Sequence, residues 1–277
     1  MIDKRDVTSP ISMTVRIVSL SEDNLGGVLD ILSKDALSNI TLIADCTQLR
    51  EWCDIRVLTR GKQIDAVFSL YSDLDFLATA FWSRDITSLR TIMNTYGQSL
   101  AGKKFVAICT QGQLADFGNT CTILEPIKER QMVADRLTLL HCECRQTPVR
   151  LSMNDAEGLK NLYKLTGTPA WTPNAMNLGP FYGIIEENGT ITAAAGVHYM
   201  TRFGTEIGNV ATHPSHVRQG YAAACIKAVV NEVLNDSDLS ILHYFANNMP
   251  AQRLYENMGF RYSKTDPVFF VKATCTG

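Results

Sequence analysis

Asn209-Val-Ala-Thr-His-Pro-Ser-His-Val-Arg-Gln-Gly-Tyr-Ala222, continuing into Ala223–Leu234, is the stretch on which the reading of this chain turns. An apolar run ends in a His-Pro turn. A short basic loop containing Gly220 follows, and then a helical segment free of Gly and Pro. Such a loop aims several backbone N–H groups and the positive end of a helix dipole at one point, an arrangement that suits a phosphate without a metal. Gly220 allows close approach of the backbone, and Ala222 leaves room beside the first helical turn. Taken alone, the pattern also fits a plain strand–turn–helix corner.

Further along, Asn248-Met-Pro-Ala251-Gln-Arg-Leu254-Tyr255-Glu-Asn-Met-Gly259-Phe260 reads as a short capped helix. Pro250 suits its first turn and Gly259 the left-handed position that stops it. Leu239–Ala246 just before it is a strand candidate. With both stretches in place, the chain from about Val149 onward resembles the GNAT superfamily of acyl-CoA-dependent N-acetyltransferases. The family's pyrophosphate loop, Arg/Gln-x-x-Gly-x-Gly/Ala, is met at Gly220 and Ala222. Val217 stands where Arg or Gln is usual, with Arg218 and Gln219 beside it. The family's second signature, Asn-x-x-Ala-x-x-Leu-Tyr-x-x-x-Gly-Phe, is complete from Asn248 to Phe260. The departure at Val217 removes one side-chain contact and leaves the main-chain cradle intact.

The resemblance implies a mixed α/β (α+β) fold with a largely antiparallel sheet flanked by helices, and acetyl-CoA as co-substrate. It assigns cofactor contacts to Val217, Arg218, Gln219, Gly220, Tyr221 and Ala222. It also assigns the main-chain oxyanion donors to Val210, Ala211 and Thr212 on the strand before the loop. Tyr255 matches the tyrosine that protonates the departing thiolate, though the position also suits packing beside Leu254. Asn248 would bond the pantetheine arm or cap its helix. Glu206 lies fourteen residues ahead of Gly220, the spacing of the catalytic glutamate in some GNAT histone acetyltransferases. It reads equally as a solvated strand-end carboxylate. An amine with a pKa near ~10.4 is almost wholly protonated at neutral pH, so a positioned base contributes directly to rate. His198 is a reserve base. His213 and His216 either touch phosphate or are exposed, and Trp171, Phe181 and Tyr182 either wall an acceptor pocket or belong to the core.

At 277 residues and 45% hydrophobic content the chain can build two domains. In the second half, Asn154–Leu165 is an amphipathic helix. Phe181–Glu186 and Ile191–Tyr199 flank an Asn188-Gly189 hairpin turn, and Thr205–Thr212 and Val268–Ala273 are strands. In the first half, Ser21–Lys34 and Ile86–Tyr96 read as helices. Asp54–Leu58, Gln63–Tyr71, Phe76–Phe81 and Phe105–Thr110 read as strands, with a turn at Gly61. The element order loosely repeats that of the second half. No glycine loop follows Phe81, where Trp82-Ser-Arg-Asp-Ile-Thr-Ser-Leu89 stands instead. The expected division is therefore a divergent GNAT-like domain over 1–147, without a cofactor site, and a catalytic domain over 148–277.

A net charge of −2 disfavours non-specific nucleic-acid binding, and no run approaches the length of a membrane span. The N-terminus lacks an apolar signal region, so a cytoplasmic protein is expected. The eight cysteines show no framework spacing and read as reduced, packing thiols; His141-Cys142-Glu143-Cys144 lacks a second ligand pair for zinc. No metal is expected. The expected partner is a small-molecule or peptide amine, with the chain a monomer or homodimer. The competing readings are a non-catalytic acyl-CoA-binding module and transfer of a longer acyl chain.

Overall fold

The computed structural model describes residues 14–96, 100–118, 121–124, 126–139, 146–168 and 170–275. The first half runs β1 (Val15–Ser19), α1 (Glu22–Leu32), α2 (Ile40–Cys46), β2 (Cys53–Arg60), β3 (Gln63–Tyr71), β4 (Leu77–Ser83), α3 (Ile86–Thr95), β5 (Lys104–Cys109), α4 (Gln111–Phe117), β6 (Cys121–Ile123) and β7 (Ile127–Ala134). The second runs β8 (Val149–Arg150), α5 (Ala156–Thr166), β9 (Phe181–Ile185), β10 (Ile191–Thr201), β11 (Gly204–Thr212), α6 (Tyr221–Val233), β12 (Ser240–Phe245), α7 (Met249–Asn257), β13 (Arg261–Tyr262) and β14 (Val268–Cys275).

Local chemistry sets the ends of these elements. The main-chain N–H of Ser21 donates to the Asn24 side chain at 2.9 Å and so opens α1. Asp85 caps α3 by accepting from the Ser88 N–H at 2.7 Å. Gly61 and Gly189, at φ 62° and 83°, make the two tight hairpin turns that the sequence predicts. The expected elements of the second half form close to their expected bounds. β1, α2, α4, β6 and β7 of the first half are additional to the sequence reading.

Each half thus has the same order, with α2 extra in the first: a strand, helix, three antiparallel strands, helix, a strand parallel to the third, helix, and two final strands. The parallel pairs are β4–β5 and β11–β12. The sheet is continuous, in the order β1-β2-β3-β4-β5-β14-β7-β12-β11-β10-β9-β8. The two halves exchange their last strands. β7 of the first half lies antiparallel to β12, from Ser240↔Ala134 to Phe245↔Glu129. β14 of the second half lies antiparallel to β5, from Phe269↔Cys109 to Thr274↔Lys104. A division at 147/148 falls between β7 and β8, so each half then carries one strand that pairs with the other.

Packing follows the exchange. Met132 and Ala134 of β7 belong to the core beneath α6, whereas Val271 and Ala273 of β14 belong to the core beneath α3. A further cluster joins Ile40, Ala44 and Leu49 to Leu178, Tyr199 and Ile241, so α2 packs directly on the second half. Above this seam, Asp73 accepts hydrogen bonds from Thr172 Oγ1 at 2.6 Å and Asn174 Nδ2 at 2.7 Å, tying a loop of each half to the other.

Cys46, Cys53, Cys109 and Cys225 form no disulfide. Cys121, opposite Cys275 in the β6–β14 pair, is disulfide-bonded, which corrects the expectation that all the cysteines are reduced. His141–Cys144 lies outside the described residues. Among the described residues no group of three or more His, Cys, Asp and Glu side chains forms a metal site, and no helix is long and apolar enough to cross a membrane.

Candidate active site

The site begins with an irregularity in β11. Ala194 pairs with Ala211 and Gly196 with Gly208, so two residues of β11, Asn209 and Val210, oppose the single residue Ala195. This is a β-bulge, and Asn209 adopts the left-handed φ of 51° that it requires. The Tyr163 hydroxyl donates to the Asn209 carbonyl at 3.0 Å and holds the bulge in place. On its other side, β11 pairs with β12 only at Thr205 and Glu206. Beyond Glu206 the strands part, leaving the Val210–Thr212 end free of that partner.

β11 then leads through the loop to α6. Arg218 and Gly220 both have positive φ, 63° and 81°, so the loop turns its main chain sharply before the helix. A Cβ at Gly220 would meet nothing within 4 Å, so the glycine is required for its dihedral and the space over it is open. The Ala224 N–H bonds the Gly220 carbonyl and closes the first turn, leaving the N–H groups of 221–223 with no carbonyl a turn earlier. Val217, Arg218, Gln219 and Gly220 are exposed, and Ala222 is half-buried. The Tyr221 side chain is buried in the core and stacks on His216 of the loop.

A cavity of about 550 Å³ opens in the gap between β11 and β12. Glu206, Val210, Ala211, Thr212, Asn248 and Tyr255 all line it. Glu206 is buried and is not the solvated strand-end carboxylate of the alternative reading. Its Oε1 lies 2.8 Å from His243 Nδ1, and its Oε2 lies 3.5 Å from the Tyr199 hydroxyl, which in turn contacts Thr41 of α2. Glu129 of β7 lines the same cavity, as does Asp45 of α2.

The charges are coupled. Burial opposes a proton on His243, but the attraction of Glu206, reinforced by Glu129, prevails and raises its pKa to about 9. Gln131 pulls the other way. Its Nε2 lies 3.1 Å from His243 Nε2 and 2.9 Å from the Leu37 carbonyl, and it can donate to both only while that ring nitrogen is bare. A charge-assisted bond is the stronger of the two, so the raised direction stands. Burial lifts Glu129 above the ordinary carboxylate range, and burial pushes Asp45 up to about 7.

His198 differs from His243. Burial lowers its pKa, and its Nε2 has no hydrogen-bond partner. Its ring lies over Gly208, where a Cβ would come within 2.4 Å of it. Burial raises Tyr255 to about 12, so it keeps its proton at neutral pH; the ring packs edge-on against Tyr244. Asn248 caps α7, its Oδ1 accepting from the Ala251 N–H at 3.2 Å.

Other candidates lie elsewhere. Trp171 packs against Tyr163 in the core beneath α5, Phe181 is buried there, and the Tyr182 hydroxyl bonds Glu232 at 2.7 Å; none of the three lines the cavity. Ser215 bridges the Nδ1 atoms of His213 and His216 at 2.6 and 2.9 Å, fixing both rings at the loop. His243, Glu129, Asp45 and Tyr199 are additions to the sequence reading. A histidine in the apolar run Leu239–Ala246 was the visible signal for the first; Glu129 had none, because β7 is rich in charge.

Comparisons with known proteins agree with this fold. Residues 181–268, from β9 to the start of β14, match the family model described as FR47-like protein. A GCN5-related N-acetyltransferase from Sphaerobacter thermophilus superposes with a TM-score of 0.66 at 11% identity, covering 94% of this chain and 95% of its own. A tandem GNAT protein from the clavulanic acid biosynthesis pathway gives 0.66 at 11% identity, covering 95% and 99%. A Drosophila protein gives 0.69 at 14% identity, covering 94% and 98%. A comparison with curated proteins returned no match. The chain has the fold of the GNAT superfamily in its two-domain form, with an FR47-like region in the second half.

Proposed function

We propose that the chain moves an acyl group, acetyl in the simplest case, from an acyl-CoA to a primary amine by direct attack. One observation carries this reading: the bulged end of β11 parts from β12 over a cavity shared by Glu206 and Tyr255, and runs on into a loop with open main-chain N–H groups.

The loop fits the diphosphate of coenzyme A. Its donors are the N–H groups of 221–223 and the start of α6, all made from main chain, so Val217 in place of Arg or Gln does not spoil them. In this reading the pantetheine arm runs past Val210–Thr212 and Asn248, which line the cavity. When bound, acyl-CoA supplies an activated thioester carbonyl.

The chain's own groups supply the rest. Glu206 accepts a proton from the ammonium, whose loss leaves the neutral amine as the nucleophile, and His243 orients its carboxylate. A main-chain N–H of Val210–Thr212 faces the negative charge that gathers on the carbonyl oxygen. Tyr255, protonated at neutral pH, donates to the leaving sulfur.

Thiol release measured with acetyl-CoA and a panel of amines tests the proposal. Activity that falls in both Glu206→Gln and Tyr255→Phe supports it. Coenzyme A binding without acylation of any amine would favour a non-catalytic acyl-CoA-binding module instead.

A further inference from the structure

We propose that the acceptor is a small primary amine with an apolar body and no carboxylate, its ammonium held between Glu129 of the first half and Glu206 of the second. This rests on the acyl-transfer reading above and names the substrate class for that site.

The chamber is made by both halves. Its polar end carries the carboxyl groups of Asp45, Glu129 and Glu206, with His243 bonded to Glu206. Among the described residues no Lys or Arg lines it. Its walls are apolar, formed by Leu49, Leu74, Phe76, Val106, Ile108 and Phe270. A second observation points independently to a ligand at this place. Asn209 lines the same chamber and is only 4% exposed, yet neither atom of its side-chain amide makes a well-formed hydrogen bond; it lies beside the His198 ring, whose Nε2 is likewise unpaired. Buried amides are normally paired, so this one is set to receive a polar group from outside the chain.

The charges decide which group that is. An ammonium entering beside Glu129 and Glu206 gains charge-assisted hydrogen bonds in a place sheltered from water. The carboxyl of Asp45, pushed up to about 7 by burial, ionises more readily when a cation arrives. A carboxylate on the acceptor meets the reverse. Sites for that group use an arginine fork or a lysine; here the one cation among the lining groups is His243, already bonded to Glu206, and the carboxylate would enter beside three carboxyl groups. Free amino acids are therefore disfavoured. The volume, about 550 Å³, must also take the thioester end of the donor and so leaves room for a small amine.

Matched ligands of one shape and different charge test this by calorimetry, with turnover playing no part. The intact chain, with and without coenzyme A, is titrated with 2-phenylethylamine, phenylalanine and 3-phenylpropionate, and then with hexylamine and 6-aminohexanoate. At least one amine should bind roughly ten- to a hundredfold more tightly than its carboxylated partner. Glu129→Gln should weaken that amine by about tenfold and leave coenzyme A affinity unchanged. The inference is overturned if neither amine binds more tightly than its partner, or if a folded Glu129→Gln protein binds the amine as the parent does. Failure of coenzyme A to bind would reject the acyl-transfer reading. The preference between amine and amino acid is still read from the titrations without it.

Discussion

His243 Nδ1 lies 2.8 Å from Glu206 Oε1, at the point where β11 and β12 stop pairing. The last backbone pairing before the gap is thus followed at once by a charged side-chain pairing across it. Glu206 is fixed in the chamber from two directions, by His243 and by Tyr199.

Replacing Glu206 with Gln keeps the shape and the contact to His243 while removing the carboxylate. The expected result is a fall in kcat of about 10² to 10⁴, with coenzyme A affinity unchanged, because the phosphate loop is built from other residues. Steady-state kinetics with parallel calorimetry measure both. A variant that retains parental kcat would assign the base elsewhere, with the unpartnered Nε2 of His198 next in line.

The same pair makes stability depend on pH. His243 is raised in the folded chain, from 6.5 to about 9, so its contribution is complete below about pH 6.5 and is lost as pH rises through about 9. The loss is expected to be on the order of 3 kcal/mol. Thermal melting of the parent and of His243→Asn across this window should show the parent's advantage shrinking toward alkaline pH. Parallel curves would mean that the histidine gains no net attraction on folding.

Asp45 has the opposite effect. Burial raises it from 3.8 to about 7, so the unfolded chain gives up this proton first and stability falls as pH rises from about 4 to 7. Asp45→Asn should melt higher than the parent at neutral pH, by an increment on the order of 4 kcal/mol, and nearly match it at about pH 4. The cost of keeping this carboxyl fits a role in binding, and the variant should hold amines less tightly.

Residues 148–277 expressed alone should not give a stable protein. Without β7, the edge of β12 from Ser240 to Phe245 loses its partner, and without β5 so does β14. Two apolar strands would be left with open edges, which favours aggregation. Size-exclusion chromatography checks this. Co-expression with 1–147 is expected to restore a soluble pair.

Much of the second half was legible because its punctuation is local. Asn188-Gly189, Gly220, Asn248 and Gly259 each set a turn or cap that a short window can show. The bulge was not legible, since nothing in Asn209-Val210 marks a left-handed residue until its neighbours on β10 are known. The partners of Glu206 were hidden for a related reason. His243 arrives from another strand and Glu129 from the other half, so sequence spacing carries no trace of either. β7 was missed because Lys128, Glu129, Arg130 and Gln131 interrupt the apolar alternation; it is a strand by virtue of its two neighbours in the sheet rather than its own pattern.

The crossed-over final strands also govern traffic. Neither half can swing away from the other without unzipping an entire row of main-chain bonds, so a wide hinge is closed to this molecule. What can give way without that cost is smaller: the two side-chain bonds that Asp73 accepts from Thr172 and Asn174, the first of which borders the chamber.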